Sequence, residues 1–302
     1  MRKILLILLA GVLTAQPIAA AKPKPYPPLN PWNVDYADDS CALRRAFGDA
    51  DSRVLLEIRQ FQPGDYLTMT VASKIFRSAA STNNRFIPDL KAHKLNIHVR
   101  FVPDLKPHEV SSMIPLEYPS GLVGFVWSDR FTPKSNSDDR MAIIAVDQKY
   151  QGARESEIQG IELSGITPPV LLVTGEMHQP MEAMRKCLDE LLTHWGIDAA
   201  SQHTLTRAAT PLDQGQWVSI IQAEYPSAML NQSKSGIVRV RMIVGPDGRA
   251  QSCHIQVPSQ DSSFEKTACA GMIKASRFTP ALDAAGKSTT SYFTASIIYK
   301  VN

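Results

Sequence analysis

The sequence lacks the short motifs that mark common catalytic and metal-binding sites. It contains no Gly-x-Ser-x-Gly, His-Glu-x-x-His or Gly-x-Gly-x-x-Gly segment, so the recognisable settings of serine hydrolases, zinc proteases and dinucleotide-binding enzymes are excluded. No Cys-x-x-Cys or His-x-x-x-His spacing occurs among its 4 cysteines and 7 histidines. We therefore predict a protein that is not an enzyme and that holds neither a cofactor nor a metal ion.

A large excess of charge is also missing. Lys and Arg number 32 and Asp and Glu number 29, which gives a formal net charge of +3. Loss of the N-terminal segment described next would reduce this charge to about +1. Such a balance provides no electrostatic basis for binding nucleic acid or an anionic membrane.

The sequence has no apolar run long enough to cross a bilayer. Arg2 and Lys3 precede an apolar run at 4–13, and the small residues 19–21 follow it. The run is shorter than the about 20 residues that a membrane-spanning helix needs, and the whole pattern is typical of an export signal. We expect cleavage to remove residues 1–21 and to leave a periplasmic protein; retention would instead leave an inner-membrane anchor.

Cysteines are few, but an exported chain meets an oxidising compartment that favours disulfides. Three pairings of the four cysteines are possible. A domain boundary near residue 210 favours Cys41–Cys187 and Cys253–Cys269, since each pair then lies within one domain. Chain entropy assigns about 3 kcal/mol to the shorter loop and about 5 kcal/mol to the longer one.

Composition and periodicity divide the exported chain into four segments and predict an α+β protein. Residues 22–31 form a Pro-rich leader, which favours an extended conformation and resists packing. Residues 32–200 form a β-rich N-terminal module, and residues 201–215 form a linker without periodicity. Residues 216–302 form a smaller C-terminal domain.

The β-rich character of the N-terminal module is predicted from its apolar patterns. Residues 67–71 and 95–101 alternate between apolar and polar side chains, as half-buried strands do. Turn residues separate the strands and favour an antiparallel sheet folded as a sandwich or a partial barrel. Further apolar runs that fit strands are 54–61, 121–127, 141–146 and 170–174.

Two helices are expected to flank this β region. Residues 38–40 carry side chains that could cap a short helix over 41–47, and this acidic group is otherwise interpreted as a solvated turn. Pro180 lies at the first turn of a longer helix that ends at Gly196. The first predicted disulfide would join these two helices. The apolar residues at helical spacing, interpreted as core, are Met181, Met184, Cys187, Leu188, Leu191, Leu192 and Trp195.

The C-terminal domain is predicted to be a β-β-α-β unit preceded by a helix. The first helix ends before Tyr225-Pro226, because a residue that precedes proline is driven out of helical geometry. Pro246-Asp247-Gly248 forms a tight turn between the first two strands, with Gly248 at a positive backbone dihedral. The predicted elements are helix 216–223, strands 237–244 and 249–257, helix 261–275 and strand 291–301.

This segment resembles the C-terminal domain of TonB-like proteins, across about residues 216–302. The matching motifs are Tyr225-Pro226, Gly236-Ile237-Val238, Pro246-Asp247-Gly248 and Arg277-Phe278-Thr279-Pro280-Ala281. The resemblance implies a three-stranded sheet with an exposed edge, to which an extended peptide of an outer-membrane transporter adds as a further strand. It thereby implies an association with TonB-dependent transport.

The resemblance makes the last strand the receiving edge. Tyr225 is a further candidate for contact, because a tyrosine held by a proline can present its ring and hydroxyl near the surface. Phe278 is instead interpreted as a core residue. The predicted partner-binding residues are Tyr225, Pro226, Tyr292, Thr294, Ser296, Ile298 and Lys300.

Two features of this chain differ from those of an energy transducer of the TonB family. Such a transducer keeps its N-terminal helix in the inner membrane and crosses the periplasm on a long Pro-rich segment, whereas this chain has a predicted cleaved signal and a short leader. An outer-membrane TonB-dependent transporter or another envelope protein is the first partner hypothesis. The alternatives are an exported binding or scaffolding module without energy coupling, a homodimer through the edge strand, and, least favoured, an unrecognised enzyme.

Overall fold

The computed structural model describes residues 23–76, 97–104, 106–110, 113–131, 148–257, 259 and 261–299. Strands predominate over helices in these residues, and the predicted α+β class is confirmed. The predicted signal peptide at 1–21, the predicted strand at 141–146 and Lys300 lie outside the described residues. No helix in the described ranges is long and apolar enough to cross a membrane.

The secondary structure of the described residues is numbered here in chain order. The strands are β1 (Lys24–Tyr26), β2 (Asn33–Ala37), β3 (Ser40–Phe47), β4 (Val54–Gln60), β5 (Leu67–Ser73), β6 (His98–Val102), β7 (His108–Glu109), β8 (Met113–Glu117), β9 (Val123–Asp129), β10 (Gly160–Ser164), β11 (Val170–Leu172), β12 (Thr210–Leu212), β13 (Gly236–Val244), β14 (Ala250–Val257), β15 (Arg277–Thr279), β16 (Ala281–Leu282), β17 (Ser288–Thr289) and β18 (Ser291–Tyr299). The helices are α1 (Gln148–Glu157), α2 (His178–His194), α3 (Ala199–His203), α4 (Gln214–Ala223), α5 (Ser227–Asn231) and α6 (Ser262–Ala275).

Two sheets form the N-terminal module in the described part of the chain. The larger sheet is antiparallel throughout and has the order β2-β3-β4-β5-β9-β8. The smaller sheet has the order β1-β11-β10-β6-β7, and its β1-β11 pair is parallel. Side chains of both sheets and of α2 belong to one hydrophobic core. This arrangement agrees with the predicted sandwich and contains no closed barrel.

The Pro-rich leader is packed against the smaller sheet. Tyr26 in β1 is buried, and the leader also donates a backbone hydrogen bond from Leu29 to the carbonyl of Ala46 at 2.9 Å. The prediction that this segment resists packing was therefore wrong. The extended conformation that prolines favour is compatible with pairing to β11, because prolines are tolerated at a sheet edge, and the Tyr26 ring adds burial.

Residues 41–47 form a strand, so the predicted short helix was wrong. Ser40–Phe47 is β3, which pairs with β2 on one side and β4 on the other. The Ala, Leu and Arg residues of this segment have good helix propensity, but pairing on both sides and burial of Leu43 and Phe47 override a weak local preference. The Cys41–Cys187 disulfide is present and joins β3 to α2.

The C-terminal domain contains the predicted elements, with a second core of its own. Asp261 caps α6 by accepting a hydrogen bond from the Ser263 amide at 3.0 Å. Gly248 has φ of 72°, and a Cβ atom there would lie 2.1 Å from the Phe278 carbonyl oxygen, so glycine is required at this turn. Phe278 is buried, as predicted. The Cys253–Cys269 disulfide joins β14 to α6.

The connecting segment 201–215 is built into the C-terminal domain. Its strand β12 pairs antiparallel with β15, with Pro211 opposite Phe278. The amide of Thr206 donates to the Leu282 carbonyl at 2.9 Å. The two parts of the chain are thus joined by a segment that holds fixed positions against β15 and β16.

Candidate functional site

Strand β18 lies at an edge of the C-terminal sheet. Among the described strands this sheet has the order β14-β13-β18, and β18 pairs only with β13. The pairing runs from Gly236 opposite Tyr299 to Val244 opposite Ser291 without a register shift. The other side of β18 is therefore the edge at which a further strand could add, where the sequence placed it.

Two glutamine side chains close the ends of this edge. The Nε2 atom of Gln222 on α4 donates to the Ile298 carbonyl at 2.7 Å, and that of Gln202 on α3 donates to the Thr290 carbonyl at 3.2 Å. Backbone groups alternate in direction along a strand, so those of Tyr292, Thr294 and Ser296 also point away from β13. In the part of the chain that the structure describes, these groups have no hydrogen-bond partner. A short open edge, residues 292–296, lies between the two caps.

A cavity of about 270 Å³ lies beside this open edge. The residues that line it are Gln214, Arg239, Phe293, Thr294, Ala295 and Ser296. Gln214 begins α4 and Arg239 lies on the central strand β13, so the cavity is bounded by helix and sheet. It is large enough for one side chain of an incoming segment.

One half of the outer face of the C-terminal sheet, the face opposite α6, is covered by the N-terminal module. Tyr292 packs edge-on against Trp195, with ring centroids 5.8 Å apart. Burial raises the pKa of the Tyr292 hydroxyl. The hydroxyl of Thr294 hydrogen-bonds to the side-chain oxygen of Gln62. Two of the predicted partner-binding side chains thus contact the N-terminal module.

Asp39 is the main polar link between the two parts of the chain. Its carboxylate accepts from Arg241 Nη1 at 2.7 Å and lies 2.8 Å from His254 Nε2. The Arg241 guanidinium also lies over the Trp195 ring, 4.1 Å from its centroid. Asp39 therefore caps no helix, contrary to the sequence-based interpretation, because the segment that follows it is β3. It forms an ion pair with β13 of the C-terminal sheet.

Arg239 lies on the same face of β13 as Arg241 but has different neighbours. Its guanidinium stacks over Phe61, with Cζ 4.4 Å from the ring centroid. Within the described residues its Nε has no hydrogen-bond partner, and no carboxylate forms an ion pair with it. Burial lowers the pKa of the guanidinium. Arg239 is thus a partly desolvated cation at the wall of the cavity.

Tyr225 lies on the opposite side of the sheet from the covered face, in the core formed with α6. Its ring packs nearly perpendicular to Phe264 and Tyr299, with centroids 5.7 Å and 5.3 Å away, and its hydroxyl donates to the Lys234 carbonyl. Burial raises the pKa of this hydroxyl. Pro226 is the residue that precedes α5. The surroundings of Tyr225 give it a packing role, and its contact with a partner stays a prediction.

The structure therefore brings four predicted residues together on one strand and places two others, Tyr225 and Pro226, elsewhere. Tyr292, Thr294, Ser296 and Ile298 follow one another at alternate positions of β18. The sequence reasoning missed Gln202, Gln222, Asp39 and Arg239. Neither the arginines nor the glutamines carry a distinct sequence signal, because Arg239 and Arg241 alternate with apolar residues as in any strand with one solvated face.

The described edge of β18 offers backbone groups for pairing with a further strand. No cluster of His, Cys, Asp or Glu that could hold a metal ion occurs in the described ranges. Residues 221–301 match the family model described as Gram-negative bacterial TonB protein C-terminal. No curated protein matches the sequence. Residues 221–301 are therefore similar to the C-terminal domain of Gram-negative bacterial TonB proteins, a protein-interaction domain.

Proposed function

We propose that this chain is an exported, non-enzymatic envelope protein that binds an extended segment of an outer-membrane TonB-dependent transporter by strand addition along β18. Domains of the matched family generally mediate interaction with outer-membrane transporters. Added strands gain affinity from backbone hydrogen bonds and selectivity from alternate side chains. In this proposal the predicted residues 292–298 act mainly through their backbone, residues 32–200 act as the module, and residues 201–215 connect it to the binding domain at 216–302.

The open edge at 292–296 is the observation that carries the proposal. An unpaired strand edge is a template for pairing with another chain, and native proteins usually cover or charge such an edge. Here the Gln202 and Gln222 side chains cap only its ends. The middle borders the cavity lined by Gln214 of α4 and by residues 293–296.

Ser296→Pro tests strand addition directly. The Ser296 amide points away from β13, so proline removes an outward donor without removing a hydrogen bond of the β13-β18 ladder. A photoreactive residue at position 298 should form an adduct with a transporter in Gram-negative cells, and Ser296→Pro should abolish that adduct. The same photoreactive residue at Gln251, exposed on the opposite edge strand β14, is the control.

An adduct that persists in the Ser296→Pro protein would refute strand addition. An adduct of twice the mass of the chain would identify the homodimer instead of a transporter. Circular dichroism and the thermal midpoint of the purified variant establish that the C-terminal sheet is retained.

A scaffolding role without energy coupling is the second candidate. It is favoured by the contact between the outer sheet face and the N-terminal module through Asp39, Trp195 and Gln62, which attaches the interaction domain to a β-rich body. Sequencing the mature N-terminus tests whether energy coupling can accompany strand addition. A start at Lys22 would exclude coupling through an inner-membrane anchor, whereas a retained N-terminus together with transporter adducts would favour it.

A further inference from the structure

The N-terminal module holds the start of β18 as well as part of the outer face of its sheet. The side-chain amide of Gln202 on α3 donates to the Thr290 carbonyl at 3.2 Å and accepts from the Ser291 hydroxyl at 2.7 Å. Helix α3 is itself attached to the module, since His203 Nε2 lies 2.8 Å from the carboxylate of Asp189 on α2. The first end of the edge strand is therefore bound by a helix of the N-terminal module.

The module also occupies space that a long added strand would need. On the outer face the ring of Trp195 covers Tyr292. The hydroxyl of Thr294 donates to the Gln62 side chain on the same face. Alternate side chains of a strand beside β18 would enter this region, and its backbone would meet the amide from α3. A strand rises about 3.4 Å per residue, so the open edge 292–296 offers only about 14 Å of a nine-residue strand.

The contact between the module and the outer face is mostly polar. In the described part of the chain the two hydrophobic cores are separate, and only Ile243 and Tyr292 of the C-terminal domain pack against the N-terminal core. The other links are the ion pair of Asp39 with Arg241, side-chain hydrogen bonds and guanidinium-ring contacts. Polar interfaces between domains permit relative motion more readily than large hydrophobic ones. The module can therefore leave the outer face without opening either core.

A short connection joins the two cores. Ala199 packs against the N-terminal core and Leu205 against the C-terminal one. The Thr206 amide is already bound to the Leu282 carbonyl of the C-terminal domain at 2.9 Å. A displacement of the module therefore needs dihedral changes at only a few residues around Thr204. So short a tether keeps the module at a high effective concentration, and it docks again once it is free to do so.

We propose that the N-terminal module is a reversible intramolecular cover of the binding edge. In the closed arrangement described above, only residues 292–296 are open to an added strand. When the module leaves, the outer face and the start of β18 become available, and a longer strand can pair. This inference rests on the proposed strand addition and adds its regulation. Docking of the module and binding of a long segment then compete, so a change that weakens docking strengthens binding.

Peptides of two lengths test this competition. An acetylated and amidated peptide of five threonines matches the open edge, and one of nine threonines matches the whole of β18. Identical β-branched side chains favour the extended conformation and allow pairing in either direction. Each fluorescently labelled peptide is titrated with the full-length oxidised protein, and the dissociation constant is read from fluorescence anisotropy.

Asp39→Asn removes the carboxylate that binds Arg241 and should release the cover. This variant should bind the nine-residue peptide about tenfold more tightly than the unaltered protein does. Its affinity for the five-residue peptide should stay within about twofold, because the open edge already accommodates that length. Asp38→Asn, at the neighbouring exposed carboxylate, is the matched control and should leave both affinities unchanged.

A chemical lock provides a second reading on a single protein. Asp39→Cys combined with His254→Cys places two thiols where the native side chains approach to 2.8 Å, and the native cysteines already form two disulfides. A short bismaleimide links the new thiols, whereas N-ethylmaleimide blocks them without a link. The blocked protein should have the larger radius of gyration by small-angle X-ray scattering and should prefer the nine-residue peptide. The linked protein should bind the two peptides equally.

The outcomes distinguish the cover from strand addition. The same length preference in the linked and the blocked protein would overturn the cover and leave strand addition intact. A larger radius of gyration of the blocked protein, with no binding of either peptide, would support the reversible contact and overturn strand addition along β18. Equal radii together with no binding would overturn both.

Discussion

At the scale of single residues, the structure depends on polar groups that the sequence pattern assigns to the surface. Asp39 belongs to an acidic turn, yet its side chain is only 18% exposed because Arg241 and His254 approach it from the C-terminal domain. Tyr299 differs from Asp39 in that its side chain is fully buried and its hydroxyl has no hydrogen-bond partner among the described residues. Substitution of either residue should change the stability of the folded protein.

Asp39→Asn should lower the free energy of unfolding by about 2 kcal/mol, because hydrogen bonds to charged groups contribute about 1.5–3 kcal/mol and Arg241 would lose its carboxylate. Urea denaturation at pH 7 measures this change. Asp38→Asn removes a neighbouring exposed carboxylate and should change stability by less than about 0.5 kcal/mol. Equal effects of the two substitutions would contradict the linking role of Asp39.

Tyr299 should make the protein sensitive to alkali. Its burial, with a contribution from Glu224, raises the pKa of the hydroxyl from 10.0 to about 12. The neutral form is therefore favoured in the folded state, and stability that is present below pH 10 is lost as the pH rises from about 10 to about 12.

In the Tyr299→Phe variant the free energy of unfolding should fall less as the pH rises. The difference should reach up to about 2.7 kcal/mol near pH 12, which corresponds to a shift of two pKa units. At pH 7 its stability should equal or exceed that of the unaltered protein, since phenylalanine removes an unsatisfied hydroxyl. Thermal unfolding at intervals between pH 8 and 12 measures both effects. Tyr36→Phe, at an exposed tyrosine, is the control and should leave the profile unchanged.

At the scale of secondary-structure elements, each cysteine pair joins a strand to a helix. Cys253–Cys269 braces β14 against α6 across a sequence separation of 16, and Cys41–Cys187 fixes β3 to α2 across a separation of 146. The C-terminal domain buries a small core, and small domains depend on such cross-links more than large ones. The shorter loop therefore has a larger structural role than its length suggests.

Replacing Cys253 and Cys269 together by serine should lower the stability of the C-terminal domain by about 2–4 kcal/mol. Differential scanning calorimetry of the oxidised protein measures the shift of its transition. Reduction of the unaltered protein is the control. It breaks both disulfides, so it should shift the transition at least as far as the double variant does. Retention of the original midpoint in the double variant would show that the brace does not stabilise the folded domain.

At the scale of the whole molecule, two cores meet through a mixed polar and aromatic interface. The contacts of Arg241, Tyr292 and Thr294 all reach residues of the N-terminal module, namely Asp39, Trp195 and Gln62. Trp195 is 8% exposed, belongs to the N-terminal core and contacts the C-terminal sheet. It therefore connects the packing of one core with that of the other.

Trp195→Ala should separate the unfolding of the two cores. Truncation of a buried tryptophan costs about 3–5 kcal/mol, and here the loss also uncovers Tyr292 and Arg241. Calorimetry should show two resolved transitions for this variant and one for the unaltered protein. Trp32→Ala, which removes a ring packed against Phe47 within the N-terminal module, should lower stability without that separation.

Sequence by itself determined much of the element content. Alternation located β5 and β6, an apolar run located β4, and helical spacing with Pro180 and Gly196 located α2, because these signals depend on residues close together in the chain. The motifs from Tyr225 to Ala281 identified the domain family for the same reason. Local propensity failed at 41–47, where pairing with distant strands decided the conformation.

The tertiary structure alone decided which surfaces of the edge strand remain open. Tyr292 and Thr294 alternate in the sequence just as Ser296 and Ile298 do, yet the first two are covered by Trp195 and Gln62, which are distant in the chain, and Ile298 is exposed. The glutamine caps, the Asp39 ion pair and the uncompensated charge of Arg239 likewise depend on long-range approach. Such contacts form only when the chain folds back on itself, so no local pattern can encode their positions.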